Sequence, residues 1–381
     1  MREAWRLLTG RTWTLLCAAP FLVSLGGCAF FYQDPDTVLV RKPGAYFYSP
    51  PVAVERAARE YWEYATLAAL AYPQETIDKT ECATSNIAIP DLAAKERDVA
   101  SLSTGEVATL AQKRFSAIYT ALVALGWRSW QDFPAPDLFD RMKALDLYVD
   151  VWERKTRERT IVVVAFKGTD FWSWQDWNSN LRWFTRLIPG NVDQYDEVVD
   201  DFSPAFLAAF KSHIPPDEQQ RTVIFAAGHS LGGGLAQQFA YALPLDVPPD
   251  PPGPRLPRLS QVYAFDPSPV TGYYSVAEDV RDANEKGAKG APPGLPIGRI
   301  LEKGEILSYL RYLVSIVYFP SAEDPAIRGV RFNLFPSVSP ITSHSIDELA
   351  CKLYEKATTG AAPEHFDPET KTPETAAAET E

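Results

Sequence analysis

The sequence predicts an α/β fold with a mostly parallel central sheet and helices on both of its faces. Short apolar runs of strand length recur along the chain, and helical stretches separate several of them. One of these runs, Val223–Ala227, breaks abruptly into the residues Gly-His-Ser-Leu-Gly-Gly at positions 228–233 and continues with apolar residues at helical spacing. A strand, a sharp turn and a helix in this order place the segment at the middle of such a sheet.

The remaining elements follow from the period of the apolar residues. Helical spacing predicts a largely buried helix over Val54–Tyr72 and one or two further helices around Val107–Ala124. The run Leu145–Val151 alternates apolar and polar residues, which predicts a half-buried strand, and a charged turn at Glu153–Arg159 joins it to the next run. Ile161–Phe166 is apolar on both faces and therefore central. Later strands are predicted at Val262–Phe265, Ile297–Leu301 and Val330–Leu334.

Composition sets the boundaries of the folded part. Seven prolines between Pro244 and Pro257 predict an extended surface loop after the helix that follows positions 228–233. Residues 28–50 are rich in aromatic residues and proline, which predicts a tether, and residues 51–356 then form one domain with insertions. Residues 357–381 contain almost no large apolar side chain, so we expect a disordered tail.

The first 28 residues have the pattern of a secretory signal. Arg2, Arg6 and Arg11 precede the apolar run Thr12–Gly27, and small residues lead to Cys28. The run Leu-Gly-Gly-Cys resembles a bacterial lipobox, which implies that residues 1–27 are removed and Cys28 carries a lipid. This predicts a protein anchored in the cell envelope, on the outer membrane or periplasmic side in a Gram-negative host. An ordinary signal peptide or an anchoring helix is the alternative.

Charge and cysteine content narrow the possible partners. The formal net charge is −12, and removal of residues 1–27, with three Arg and one Glu, changes it to −14. This acidity argues against nucleic-acid binding. Processing leaves Cys82 and Cys351 besides the lipid-bearing cysteine. In an oxidising compartment they can form a disulfide, or they remain two isolated buried thiols. Their spacing fits no metal site.

Ser230 is the candidate nucleophile because it stands at the tip of the predicted strand–turn–helix. Gly228 and Gly232 allow the tight turn, and Leu231 places a backbone amide at the start of the helix beside the serine hydroxyl. The alternative is a glycine-rich turn that carries a serine without function.

A serine hydroxyl becomes a nucleophile only when a general base takes its proton, so the four histidines are the candidates for that base. His229 precedes the nucleophile with its side chain pointing away from it, His213 lies upstream of the elbow, and His365 lies in the tail. His344 lies in a loop after the last predicted strand, where this fold places its histidine. The alternative is a solvated loop histidine.

Two carboxylates could orient this histidine, because each follows a predicted strand. Asp266 ends the strand Val262–Phe265, and Glu305 comes shortly after Ile297–Leu301. Either one could instead cap a turn or a helix start. An oxyanion also needs donors, which Leu231 N–H and the backbone N–H or hydroxyl of Thr169, in the loop after Ile161–Phe166, could supply.

These residues together resemble the class 3 lipase family, the fungal-type lipases of the α/β-hydrolase fold. The similar segments are Phe-Lys-Gly-Thr at 166–169, Asp-Trp-x-x-Asn-Leu at 176–181, Gly-His-Ser-Leu-Gly-Gly at 228–233, and a helix ending in Ala-Tyr at 71–72. The resemblance covers about residues 55–350 and implies that Asp266 lies on a structural turn, while Glu305 takes the place of the family's acid. The chain has Lys167 for the family's Arg, Glu for its Asp, and no His-x-Gly-Phe segment before the nucleophile.

The sequence therefore predicts a serine ester hydrolase, a lipase or carboxylesterase and possibly a phospholipase, that acts through an acyl-enzyme. Ser230, His344 and Glu305 would form the catalytic triad, and Thr169 and Leu231 the oxyanion hole. The expected partners are a lipid or another acyl ester and, through the N-terminal lipid, a membrane; no metal or cofactor is implied. A non-catalytic envelope lipoprotein that uses the same fold for binding is the alternative.

Overall fold

The computed structural model describes residues 33–43, 45, 47–72, 116–168, 194–243, 259–269, 271–286, 295–308, 311, 327–336 and 342–359. The strands in these ranges are β1 (Thr37–Arg41), β2 (Val52–Ala53), β3 (Arg128–Ser129), β4 (Val149–Lys155), β5 (Thr160–Phe166), β6 (Thr222–His229), β7 (Leu259–Phe265), β8 (Ile297–Glu302) and β9 (Ile327–Phe332).

The α-helices in the described part are α1 (Val54–Leu70), α2 (Ser116–Ala124), α3 (Pro136–Ala144), α4 (Gln194–Glu197), α5 (Ser203–His213), α6 (Pro216–Gln219), α7 (Leu231–Ala242), α8 (Glu278–Lys286) and α9 (Ile346–Thr358). A π-helical turn, Val198–Phe202, joins α4 to α5, and short 3-10 turns lie at Tyr273–Ser275 and Thr342–His344. In the described ranges, no helix is both long and apolar enough to cross a membrane.

The strands form one mixed sheet of nine in the order β2-β1-β9-β8-β7-β6-β5-β4-β3. Its centre is parallel from β5 through β6, β7 and β8 to β9, whereas the strands on both flanks pair antiparallel. This confirms the predicted α/β class with a mostly parallel sheet. The parallel strands end at the same edge, which is where sheets of this kind carry their sites.

Helices cover both faces of the sheet because its central strands are apolar on both sides. In β5, Ile161, Val163 and Ala165 pack toward α1 and α9, while Val162, Val164 and Phe166 pack toward α5 and α7. Alternate residues of a strand point to opposite faces, so this continuous apolar run fills two cores at once.

The predicted helices and strands that fall within the described residues are present, with shifts at their ends. Of the helical stretch predicted around Val107–Ala124, Ser116–Ala124 forms α2, and the residues before it lie outside the described ones. The alternating segment predicted from Leu145 becomes a strand only at Val149, because Asp146 takes a left-handed conformation (φ 57°) that ends the preceding turn. The charged residues from Glu153 continue β4 to Lys155 rather than forming a turn, since β4 pairs with β5 over that length. Outside the described residues lie the proline-rich segment 244–257 and most of the tail.

The sheet also reaches beyond the domain boundaries predicted from composition. β1 lies within the segment 28–50 assigned to a tether, pairs with β9, and buries Val38 completely. At the other end, α9 continues past residue 356 to Thr358 and packs along α1. Cys351 on α9 is disulfide-bonded, whereas Cys82, its predicted partner, lies outside the described residues.

Candidate active site

Ser230 occupies a strained backbone turn between β6 and α7. Its φ of 56° and ψ of −121° are a conformation that a residue with a side chain rarely adopts. Neighbouring backbone holds it there: Ser230 N donates to Phe265 O at the end of β7 (3.0 Å), and Ser230 O accepts from Ser268 N (2.8 Å). The turn therefore has the geometry of a nucleophile elbow.

The elbow glycines are required because backbone passes too close for any side chain. A Cβ at Gly232 would collide with the carbonyl oxygen of Phe166, and one at Gly228 would collide with the carbonyl oxygen of Gly232. A Cβ at Gly168, two residues after β5, would lie 3.1 Å from Ser230 Cβ. The loop that follows β5 therefore starts directly against Ser230.

Of the two predicted oxyanion donors, only Leu231 lies within the described residues. It is the first residue of α7, and the leading N–H groups of a helix have no acceptor within the helix. Thr169 lies outside the described residues, as do Cys28 and the segment 176–181. Lys167, two residues before Thr169, is buried and pairs with Asp146 at 2.9 Å.

His344 and Glu305 are brought together from 39 residues apart. His344 lies in the 3-10 turn before α9, and its Nδ1 is 2.8 Å from Oε2 of Glu305. Both side chains are buried. Glu305, rather than Asp266, is thus the carboxylate that makes a hydrogen bond to His344. Such a bond leaves Nε2 as the ring atom that points away from the acid.

Three groups among the described residues hold the buried carboxylate of Glu305 in place. Arg311 makes an ion pair with its Oε1, Leu307 N donates to its Oε2 (2.7 Å), and the ring of His344 is the third partner. Burial by itself raises the pKa of Glu305, but the charge of Arg311 and the hydrogen bond with His344 outweigh it and leave that pKa below its ordinary value. Glu305 is therefore ionised despite its burial.

Asp266 and Glu302 are two further buried carboxylates beside this pair. Asp266, with φ 39° directly after β7, accepts the backbone N–H of Glu302 through Oδ1 (2.7 Å) and so ties the end of β7 to β8. Burial, and then the negative charge of Glu305, raise the pKa of Asp266 well above its ordinary value. Burial raises the pKa of Glu302 to about 7. Asp266 therefore has a structural role, and burial beside the ionised Glu305 favours its neutral form.

The ring of His229 contacts Tyr72 and lies beside His344. Its Nδ1 lies 2.8 Å from the hydroxyl of Tyr72, and its ring centroid lies 4.6 Å from that of His344. Burial, and then repulsion by His344, lower the pKa of His229 well below its ordinary value, although the nearby backbone of His344 acts in the opposite direction. The ring of His229 is therefore neutral. His213 lies elsewhere, on α5, 2.9 Å from Asp132.

Sequence reasoning missed two members of this cluster. Arg311 follows the predicted acid by six residues in a segment with no motif, so nothing local indicated its role. Tyr72 was noticed only as the end of a helix, yet its hydroxyl lies against both His229 and Gly168. The pattern Ala-Tyr at 71–72 was the one signal that could have found it.

Comparisons with known proteins add little to this geometry. No known family model matches the sequence, and no curated protein matches it. One solved structure, a lipase from Rhizopus microsporus var. chinensis, is similar at 14% sequence identity and a TM-score of 0.32, over 67% of this chain and 69% of the lipase chain. The assignment of function therefore depends on the site itself.

Proposed function

We propose that this protein is a serine ester hydrolase with an α/β-hydrolase fold of the class 3 lipase type. The observation that carries the proposal is the buried 2.8 Å contact between His344 Nδ1 and Glu305. The ring of His344 lies 4.6 Å from that of His229, the residue directly before the strained Ser230. A nucleophile, a base and an acid that orients the base form the combination that activates a serine hydroxyl.

In the proposed reaction His344 Nε2 takes the proton of Ser230 Oγ as the oxygen attacks the ester carbonyl. The tetrahedral intermediate then collapses, the bond to the leaving alcohol breaks, and His344 gives the alcohol its proton. Water deprotonated by His344 cleaves the acyl-enzyme in the same way and releases the carboxylic acid. Glu305 stabilises the imidazolium in both steps because it is ionised and 2.8 Å away.

The negative charge on the substrate oxygen requires donors in both intermediates. Leu231 N–H at the start of α7 and Thr169 in the loop after β5 are the proposed donors, and the close approach of Gly168 to Ser230 supports that position for the loop. One such donor contributes about 2.7–4 kcal/mol of transition-state stabilisation.

The substrate class follows from the proposed location. A lipid on Cys28 would keep the protein at a membrane surface, where acyl esters of lipids are the available substrates. We therefore propose lipid esters as substrates, with phospholipids among them.

The test is a comparison of Ser230→Ala with the wild-type chain. Wild-type protein should hydrolyse p-nitrophenyl esters and react covalently with a fluorophosphonate probe, and Ser230→Ala should do neither while keeping its circular dichroism spectrum. A series of esters of increasing chain length, assayed beside phospholipids, then defines the substrate. Unchanged turnover in Ser230→Ala would refute the proposal, and a wild type without probe labelling would favour the non-catalytic alternative.

A further inference from the structure

His344, the base of the proposed triad, also belongs to a cluster of possible metal ligands. His229, Asp266 and His344 each offer one nitrogen or oxygen atom, and these three atoms all lie within 4.8 Å of one another. The three side chains are 3%, 1% and 3% exposed. Two imidazoles and one carboxylate are the ligands that Zn²⁺ takes at sites with one open position.

Each of these side chains is oriented by a hydrogen bond on its other polar atom. Nδ1 of His229 contacts the hydroxyl of Tyr72 (2.8 Å), Nδ1 of His344 contacts Glu305 (2.8 Å), and Oδ1 of Asp266 accepts from Glu302 N (2.7 Å). Metal ligands in proteins are almost always held in this way, by a group on the atom that does not bind the metal. The proposed ligand atoms are therefore Nε2 of both histidines and Oδ2 of Asp266.

Two of these atoms are buried polar groups that no hydrogen bond satisfies within the described part of the chain. They are Nε2 of His229 and Oδ2 of Asp266. Such groups are uncommon in folded proteins, because a buried polar atom loses its hydrogen bonds to water and gains none in return. The backbone of His344 lies near the ring of His229 but makes no hydrogen bond that meets the usual geometry. An ion bound between these two atoms would satisfy both of them.

The acidic groups beside this point are compatible with a bound cation. Asp266, Glu302 and Glu305 are all buried here, and Arg311 lies beside them, paired with Glu305 and 3.9 Å from Oδ1 of Asp266. The charge of a bound divalent ion would favour the ionised form of Asp266, which is the form that binds a metal.

We propose that His229, His344 and Asp266 bind a divalent transition-metal ion, Zn²⁺ above all, and that the bound ion inhibits the enzyme. Two ligands of a tetrahedral Zn²⁺ lie about 3.3 Å apart, for bonds of about 2.0 Å, so side-chain shifts of about 1 Å complete the site. Inhibition follows because Nε2 of His344 cannot bind a metal and accept the proton of Ser230 at the same time. Only this inhibitory effect rests on the proposed hydrolase function; metal binding does not.

The binding test uses full-length Ser230→Ala protein, which keeps all three ligands and has no proposed turnover. Titration with Zn²⁺ in competition with a chromophoric chelator should give one ion per chain. Co²⁺ in its place should give the visible absorption bands of a four-coordinate site. The absence of stoichiometric binding would overturn the proposal.

Substitutions in the same background locate the ion. His229→Gln and Asp266→Asn should each weaken Zn²⁺ binding by more than tenfold. Tyr72→Phe, which removes the hydroxyl that orients His229, should weaken it by about 10–100-fold. His213→Gln removes a histidine that pairs with Asp132 on another part of the molecule and serves as the matched control. Equal affinity in all these variants would overturn the proposal, and Tyr72→Phe keeps the test valid if a ligand variant does not fold.

Activity provides the second readout. Zn²⁺ should inhibit ester hydrolysis by the wild type, EDTA should restore it, and Tyr72→Phe should need about 10–100-fold more Zn²⁺ for the same inhibition. Activity that persists in the wild type with the ion bound would overturn the inhibitory part. A wild type without esterase activity would refute the proposed function, whereas Zn²⁺ binding by Ser230→Ala would still decide the metal site.

Discussion

The substitution Glu305→Gln tests the proposed triad most directly. It removes the negative charge 2.8 Å from Nδ1 of His344 and keeps the size of the side chain. Turnover should fall because the imidazolium that forms during the reaction loses the charge that stabilises it. The neutral amide can also hold the ring in the tautomer that is wrong for catalysis.

The magnitude follows from the geometry of the pair. With a hydrogen bond of 2.8 Å the two charge centres lie about 4 Å apart, and at an effective dielectric constant of about 20 their interaction is about 4 kcal/mol. A loss of about 4 kcal/mol in the transition state lowers kcat/KM by about a thousandfold. The measurement is kcat/KM for a p-nitrophenyl ester with wild-type and variant protein, after circular dichroism has shown that both are folded.

Glu302→Gln is the matched control, because it makes the same change to a buried glutamate three residues earlier. Glu302 accepts backbone N–H groups from Leu334 and Phe335, so its substitution should change kcat/KM by less than tenfold. Asp266→Asn should cost mainly stability, about 1 kcal/mol, because Asp266 ties β7 to β8. A folded Glu305→Gln protein that retains more than a tenth of the wild-type kcat/KM would refute the reasoning, as would an Asp266→Asn protein with the larger loss.

Three further predictions concern stability and location. Arg311→Met should lower the free energy of unfolding by about 3–5 kcal/mol in urea denaturation, since it leaves Glu305 buried without its cation, and a change below 1 kcal/mol would contradict this. Burial raises the pKa of Glu302 to about 7 from an ordinary 4.5. Between these two pH values the Glu302 carboxyl is protonated in the folded chain and ionised in the unfolded chain. Stability should therefore fall by about 3 kcal/mol as the pH rises from 4.5 to 7, and Glu302→Gln should remove this loss; an unchanged slope would show that another group titrates. Cells that express the wild type should incorporate radiolabelled palmitate into the protein, cells that express Cys28→Ser should not, and an unlabelled soluble wild type would exclude lipidation.

Elements whose evidence is local could be predicted from the sequence. The apolar period of Val54–Tyr72, the two-sided run Ile161–Phe166 and the glycines around Ser230 each depend on residues a few positions apart. The spacing of apolar residues in a helix or strand and the glycines of a tight turn are visible within such short segments, so the α/β class and the elbow could be predicted. Thr169 and Cys28, which were chosen from the same kind of evidence, stay predictions because they lie outside the described residues.

Which groups meet at the site depends on the tertiary structure. Glu305 and His344 are 39 residues apart, and Tyr72 and His229 are 157 apart, so no local pattern could reveal what His229 contacts. The family resemblance favoured Glu305 over Asp266, and the structure shows that Glu305 is the carboxylate that makes a hydrogen bond to His344. The register of the parallel strands sets these distances, because it fixes which strand ends lie side by side at one edge of the sheet. The same holds for Arg311, whose charge keeps Glu305 ionised in the interior: a buried ion pair is a property of the folded environment and not of either residue's neighbours in the chain.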